Sequence, residues 1–166
     1  MRSIFHRALP ALAIAATVLG GLTVAQPALA QYQQEIRNDP ARCRGAGPAV
    51  PVTVSGIENA QGNMRVQIYH GTEADWLTSG RWLYRIEVPA RAGNMSFCLP
   101  VPSDGSYAVA VRHDVNGNGR TDITSDGGAM SNNPSINLLN LGRPSVRRTR
   151  FDVSGVTSIN VNMRYM

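Results

Sequence analysis

Residues 106–113 read Ser-Tyr-Ala-Val-Ala-Val-Arg-His, and this alternation decides the fold class of the chain. Successive side chains of a β-strand point to opposite faces of a sheet, so every second residue shares one environment. Tyr107, Val109 and Val111 are therefore predicted to face a core, with smaller or charged residues between them facing outward. The segment predicts a strand with one buried face, and it leads directly into Asp114.

Six other segments repeat this period of two, over residues 50–55, 63–70, 81–88, 95–99, 149–153 and 159–165. Seven strands with at most one short helical turn predict an all-β fold, an antiparallel β-sandwich. The first two strands are expected to form a hairpin through turn residues 59–62. Trp82 is expected to face the core, whereas Tyr69 is expected to be exposed. Residues 123–145 are rich in Asn, Gly and Ser and predict one long loop.

The N-terminal segment 1–30 has the composition of a secretory signal peptide. Two arginines precede an apolar run, and the segment ends in Ala28-Leu29-Ala30, the small-x-small pattern of a cleavage site. We therefore predict export to the periplasm or the extracellular space. Residues 31–48 would form an extended leader and residues 49–166 the β-sandwich domain. No later stretch has the roughly 20 apolar residues of a membrane-spanning helix, so no membrane span is expected in the mature chain.

All sixteen basic residues are arginine, and the formal net charge is +5. Removing the two arginines of segment 1–30 lowers it to about +3. The arginines are scattered except for a short cluster at residues 147–150, which is typical of a solvated strand face. Nucleic acid is therefore not an expected partner. The expected partner is an unidentified protein or envelope ligand.

Cys43 and Cys98 are the two cysteines of the chain. In an exported protein a single structural disulfide is the expected state of such a pair. A redox or metal pair would need close spacing or neighbouring histidines, which this sequence lacks. Cys98 alternates with Phe97 and should lie on the outer face of its strand, where the disulfide would attach the leader.

The segment 114–126 has the donor spacing of a calcium loop. Oxygen-bearing side chains stand at positions one, three, five and nine of such a loop, glycine at six and a backbone carbonyl at seven. Ser125 occupies position twelve, where a bidentate Glu is expected, and Asp126 follows one residue late. The sequence predicts either weak calcium binding or a plain turn, with the metal ligands being Asp114, Asn116, Asn118, the carbonyl of Arg120, Asp122 and Asp126.

His113 and His70 end two strands on the inward face, yet alternating strand directions place them at opposite ends of the sandwich, which argues against a shared metal. His113 is predicted to bond a backbone group of the loop. The alternative is a small hydrolase or isomerase that uses His113 with a neighbouring Asp. Neither Ser103 nor Ser131 lies in a nucleophile motif, so no catalytic residue is assigned and a non-enzymatic module is favoured.

The chain resembles the small exported bacterial proteins grouped as domain-of-unknown-function family 2141. The resemblance is carried by residues 52–57, 65–69 and 107–119, the last containing His-Asp-x-Asn-x-Asn-Gly, and by Ser-Asn-Asn-Pro at 131–134. It implies a transthyretin-like or immunoglobulin-like sandwich and no established activity. Many relatives carry a longer aromatic insert before the Ser-Asn-Asn segment, whereas residues 125–130 fill that place here.

Overall fold

The computed structural model describes residues 32–45, 47–136 and 142–165. The segment predicted to be a signal peptide lies outside these residues. The described part contains nine strands: β1 (Gln34–Glu35), β2 (Ala49–Ile57), β3 (Asn63–His70), β4 (Tyr84–Pro89), β5 (Gly93–Pro100), β6 (Gly105–Asp114), β7 (Gly127–Met130), β8 (Phe151–Val153) and β9 (Ile159–Asn162). A short 3-10 helix spans Pro40–Arg44, and α1 spans Val146–Thr149.

The strands form two sheets, so the predicted all-β sandwich is confirmed. The large sheet has the order β1-β4-β3-β6-β7, and β8 also pairs with β6. The small sheet has the order β5-β2-β9. The pairings β1–β4 and β2–β9 are parallel and the others are antiparallel.

The main core lies between the two sheets and is built by the alternation of the strands. Val109 and Val111 of β6 meet the buried side chains of β2, β3 and β5 there. This confirms the predicted inward faces of these strands. A second, smaller apolar cluster lies on the outer face of the large sheet and comprises Tyr69, Trp76, Trp82, Ala108, Met130 and Val146.

The predicted hairpin between the first two strands is wrong. β2 pairs with β5 and β9, whereas β3 pairs with β4 and β6. The turn at 58–62 therefore carries the chain from one sheet to the other. Alternation specifies which face of a strand is buried, and it does not specify the partner strand.

Three further expectations are wrong. Trp82 belongs to the outer cluster, because Leu83 takes the core position and the period shifts before Tyr84. Tyr69 faces outward but is only 4% exposed, since Trp76 packs edge-on against it at 5.5 Å between ring centroids. The predicted loop 123–145 contains β7, which pairs with the free side of β6.

The N-terminal segment is attached to the sheets at two places. Cys43 in the 3-10 helix forms a disulfide with Cys98 of β5, as predicted. The helix covers Cys98, which is 2% exposed although it lies on the outer face of β5. Within the described residues, no helix has the length and apolar character needed to cross a membrane.

Two asparagine amides extend the small sheet on its two outer sides. Asn38 donates to the Ser96 carbonyl at 2.8 Å and accepts from the Cys98 N–H at 3.1 Å. Asn133 donates to the Asn160 carbonyl at 3.0 Å and accepts from the Asn162 N–H at 2.7 Å. Each amide thus bonds the carbonyl of one residue and the N–H of the residue two positions later, as a neighbouring strand does.

Candidate functional site

Asp114 ends β6 and begins the Asp/Asn/Gly loop, defined here as residues 114–126. Its carboxylate is buried, the residue being 1% exposed. Oδ2 accepts a hydrogen bond from the Gly119 N–H at 2.8 Å. Oδ1 is buried and has no hydrogen-bond partner among the residues described. An unpaired buried carboxylate oxygen is unfavourable, so a cation or a further hydrogen-bond donor at Oδ1 would stabilise Asp114.

The loop is shaped by two successive Asx turns. The Asn116 side-chain oxygen accepts from the Asn118 N–H at 3.0 Å, and the Asn118 oxygen accepts from the Arg120 N–H at 2.7 Å. Gly117 and Gly119 supply the positive φ values, 68° and 77°, that the turns require. The Asx turns and the two glycines therefore fix the backbone of residues 116–120.

The amide nitrogens of both asparagines point toward Asp122. Asn116 and Asn118 donate to Asp122 Oδ2 at 2.9 and 2.6 Å. These two hydrogen bonds lower the pKa of the Asp122 carboxyl, and the bond from Asn116 has the larger effect. The Asx turns fix the orientation of the two amide oxygens. The amide nitrogens, which carry the positive end of each amide dipole, therefore face Asp122. A carbonyl oxygen has two lone pairs, so each amide oxygen keeps one for a further contact.

Asp126 closes the loop at its base. Its Oδ1 accepts from the Val115 N–H at 3.1 Å and its Oδ2 from the Asp122 N–H at 3.0 Å. Asp126 is 6% exposed, so these bonds form away from solvent. The carboxylate joins the two ends of the loop, and its additional use as the twelfth calcium ligand stays a prediction.

Arg112 lies beside the loop and is bonded to three of its residues. Its guanidinium donates to Thr121 Oγ1 at 3.0 Å, to the Gly119 carbonyl at 3.0 Å and to Asp114 Oδ2 at 3.4 Å. Burial lowers the pKa of Arg112 and neighbouring Arg65 lowers it further, whereas Asp114 acts in the opposite direction. Arg112 is thus a permanent counter-ion on the Oδ2 side of Asp114.

The structure brings the predicted ligands into one loop without forming a carboxylate cluster. Within residues 32–45, 47–136 and 142–165, no three His, Cys, Asp or Glu side chains form a group suited to a metal ion. A cation at this loop would therefore have to use neutral oxygens together with Asp114 and Asp122. Few carboxylate ligands give weak calcium sites.

His113 is enclosed on the core side of β6 and is 0% exposed. Its Nε2 lies 2.7 Å from the Gln61 carbonyl, and because a carbonyl oxygen only accepts, Nε2 is the donor of this hydrogen bond. Its Nδ1 is hydrogen-bonded to the Tyr165 hydroxyl at 2.6 Å. His113 bonds a backbone group of the 58–62 turn rather than of the Asp/Asn/Gly loop. With both nitrogens engaged, this ring offers no site to an external substrate.

Ser131, Asn132 and Asn133 form a connection that sequence reasoning did not find. Ser131 is 0% exposed; its hydroxyl accepts from the Val109 N–H at 2.9 Å and donates to the Thr149 carbonyl at 2.6 Å. Asn132 donates to the Arg150 carbonyl at 2.8 Å. Both asparagines have positive φ, 63° and 47°, a conformation that Asn tolerates. The consecutive Asn pair was the only signal in the sequence.

The Ser-Asn-Asn segment fills the gap beside β6 between β7 and β8. β7 pairs with β6 up to Ala110, and β8 pairs with it from Tyr107 downward. Ser131 supplies the bonds to Val109 between them, its own N–H donating to the Val109 carbonyl at 3.0 Å. Its partners are backbone groups, which identifies Ser131 as a structural residue rather than a nucleophile.

Comparison with known proteins gives a family and no further relative. A family model described as "Uncharacterized protein conserved in bacteria (DUF2141)" matches residues 52–160, more than half of the 166-residue chain. The matched range includes the Asp/Asn/Gly loop and the Ser-Asn-Asn segment. No curated protein and no solved structure matches the chain.

Proposed function

This chain belongs to the bacterial protein family DUF2141, and on that premise we propose an exported, non-enzymatic β-sandwich module that binds calcium weakly. The Asp/Asn/Gly loop is the calcium site, and with the neighbouring segments it forms a surface for an envelope ligand or partner protein. Export is supported by the composition of residues 1–30 and by the disulfide, which persists in oxidising compartments.

The unpaired Oδ1 of Asp114 carries the calcium proposal. In calcium loops of this spacing the first residue supplies one carboxylate oxygen to the metal. Here Oδ2 is bonded to the N–H of Gly119, the sixth position, which leaves Oδ1 for a cation. A plain turn explains the Asx bonds and the two glycines, but it does not explain a buried carboxylate oxygen without a partner.

Calcium binding requires a local change at Asp122. The two asparagine amides must release the Asp122 carboxylate, so that the second lone pair of each amide oxygen, the Arg120 carbonyl and Asp122 can contact the metal. Asn116, Asn118 and Asp122 lie on the solvent-exposed or half-buried side of the loop, so water replaces the released bonds at small cost. With few carboxylates, we expect a dissociation constant of about 10⁻⁴ to 10⁻³ M.

A calcium titration tests the site. At a calcium concentration about ten times the dissociation constant, binding stabilises the native state by about 1.4 kcal/mol. For a domain of this size that corresponds to a rise in Tm of about 5 °C, with amide NMR shifts confined to residues 114–126. Asp114→Asn is expected to abolish both effects.

Asp152→Asn is the matched control, because Asp152 is exposed on β8 and far along the chain from the loop. It should respond to calcium as the unmodified protein does. If 10 mM calcium moves neither the loop resonances nor the Tm of the unmodified protein, the calcium proposal fails. An equal response of Asp114→Asn and the unmodified protein would also contradict it.

Export is tested separately by expressing the full chain in a bacterium. The mature protein should be recovered from the periplasm or the medium, with Gln31 as its first residue by mass spectrometry. Recovery of the uncleaved chain in the cytoplasm would contradict this part of the proposal and would leave the calcium result unaffected.

A hydrolase or isomerase that uses His113 is not favoured. The ring is fully buried, and its two nitrogens face the Gln61 carbonyl and the Tyr165 hydroxyl. Burial also raises the pKa of Tyr165, so the hydroxyl remains a proton donor to the ring. Stacking of a carbohydrate or peptide on Trp76 and Trp82 is not favoured either, since these side chains are only 8% and 6% exposed.

A further inference from the structure

A cavity of about 430 Å³ opens on the outer face of the large sheet, beside the Asp/Asn/Gly loop. This volume lies within the range of roughly 300–1,000 Å³ that is typical of small-molecule sites. Most of its surface is apolar, contributed chiefly by Leu77, Ala110, Ile123, Gly128, Met130 and Ile136. It shares Asp122 and Asp126 with the Asp/Asn/Gly loop, so its ligand must be tested in the absence of calcium.

The cavity exists because two adjacent strands carry small residues on this face. Ala110 of β6 and Gly128 of β7 form part of its floor. A Cβ added at Gly128 would meet only the Ile136 side chain, at 3.8 Å, and the backbone there needs no positive φ. A β-carbon at Gly128 would therefore be accommodated beside Ile136, another residue that lines the cavity, and glycine leaves that space open.

Charge is distributed unevenly around the cavity. Four arginines and two aspartates line it. Arg65 is paired with Glu87 at 2.7 Å, and Arg112 contacts Asp114 at 3.4 Å. Arg143 and Arg164 are exposed and have no carboxylate partner among the described residues; Arg143 donates only to the Leu77 carbonyl, at 3.0 Å.

The two aspartates keep their negative charges, but neither forms an ion pair with Arg143 or Arg164. Asp126 uses both oxygens on backbone N–H groups, and Asp122 is bonded by the asparagine amides. The cavity thus combines an apolar floor with two unpaired guanidinium groups, which bind carboxylates well. We propose that it binds an amphipathic molecule with a single acidic head, the apolar part on the floor and the carboxylate on Arg143 and Arg164.

Decanoate is a suitable probe, used as a monomer and in the presence of chelator so that calcium plays no part. Isothermal titration and amide NMR should show binding with shifts at residues 110, 128 and 130. Neutral decanol should bind several-fold more weakly. Arg164→Gln and Arg143→Gln should each weaken decanoate binding by about two- to fivefold, the range for exposed ion pairs, and leave decanol binding unchanged.

Arg91→Gln is the matched control, because it removes an equally exposed arginine outside the cavity. It should leave decanoate binding unchanged. Gly128→Leu should reduce the binding of both probes at least tenfold while the NMR spectrum remains that of a folded protein. Should that variant not fold, Ala110→Met fills the same floor and must give the same loss.

Three results would overturn the proposal. If decanoate does not bind, the cavity is not a binding site for this class of molecule. If decanol and decanoate bind equally well, the arginines do not recognise the carboxylate. Binding only to phosphatidylglycerol vesicles, with none to monomeric decanoate, would identify a membrane surface rather than a cavity as the target. Failure of the calcium titration leaves each of these results interpretable, since none of them involves the metal.

Discussion

Replacement of Ser131 by alanine should destabilise the protein strongly although it removes a single oxygen atom. The hydroxyl accepts from the Val109 N–H and donates to the Thr149 carbonyl, and all three residues are 0% exposed. The variant leaves one buried donor and one buried acceptor without partners. Each such group costs about 1–3 kcal/mol, so we expect a loss of about 2–6 kcal/mol in the free energy of unfolding.

Denaturant unfolding with the disulfide intact measures this effect. The midpoint should fall while the slope of free energy against denaturant stays the same, because the surface exposed on unfolding is unchanged. Ser103→Ala is the control: Ser103 is exposed in the turn before β6 and its side chain should be worth less than about 0.5 kcal/mol. A loss below about 1 kcal/mol for Ser131→Ala would refute the bridging role of this hydroxyl.

Three further predictions concern the 58–62 turn, the Asp/Asn/Gly loop and the disulfide. Gly62→Ala should lower the free energy of unfolding by about 2–4 kcal/mol in thermal melts, because φ is +64° and the new Cβ would lie 1.8 Å from the Asp114 carbonyl oxygen. Gly117→Ala is the comparison: φ is +68° but no atom lies within 4 Å of the new Cβ, so the loss should be about 1 kcal/mol. Equal losses for the two variants would contradict this prediction. Replacing both cysteines by serine opens a loop of sequence separation 55 and should cost about 4 kcal/mol in denaturant unfolding, whereas an unchanged midpoint would refute it. Asn116→Ala should raise the pKa of Asp122 toward its ordinary value in a carboxyl NMR titration, and an unshifted titration would count against this. The native hydrogen bonds favour the ionised carboxylate, so their contribution to stability is present at neutral pH and is lost as pH falls through the lowered pKa.

Alternation along the regular strands predicted which of their side chains form the core, but it failed at Trp82, where Leu83 takes the core position instead. Val109 and Val111 were predicted to face inward because burial of one face depends on a local period of two, which each strand carries in its own sequence. Strand pairing was predicted less well. The turn at 58–62 has the composition of a hairpin turn, yet it joins strands of different sheets, since pairing depends on contacts distant in sequence.

The candidate loop was located by its spacing, but its hydrogen bonds were not. The sequence gives no sign that Asp126 would spend both oxygens on backbone N–H groups, or that Arg112 would lie against Asp114. Likewise β7 was predicted to be part of a loop, because its segment is rich in glycine and glycine has a low preference for strands. It forms a strand because β6 presents an unpaired side to it.

The amides of Asn38 and Asn133 have a consequence for association between molecules. A strand at the border of a sheet presents free N–H and C=O groups to which a strand of another chain can add, and this is a common route to aggregation. In the small sheet both border strands, β5 and β9, have such groups bonded by an asparagine side chain of the same molecule. A second copy that adds a strand at either border must first displace that amide, so the small sheet resists growth into larger assemblies from both sides.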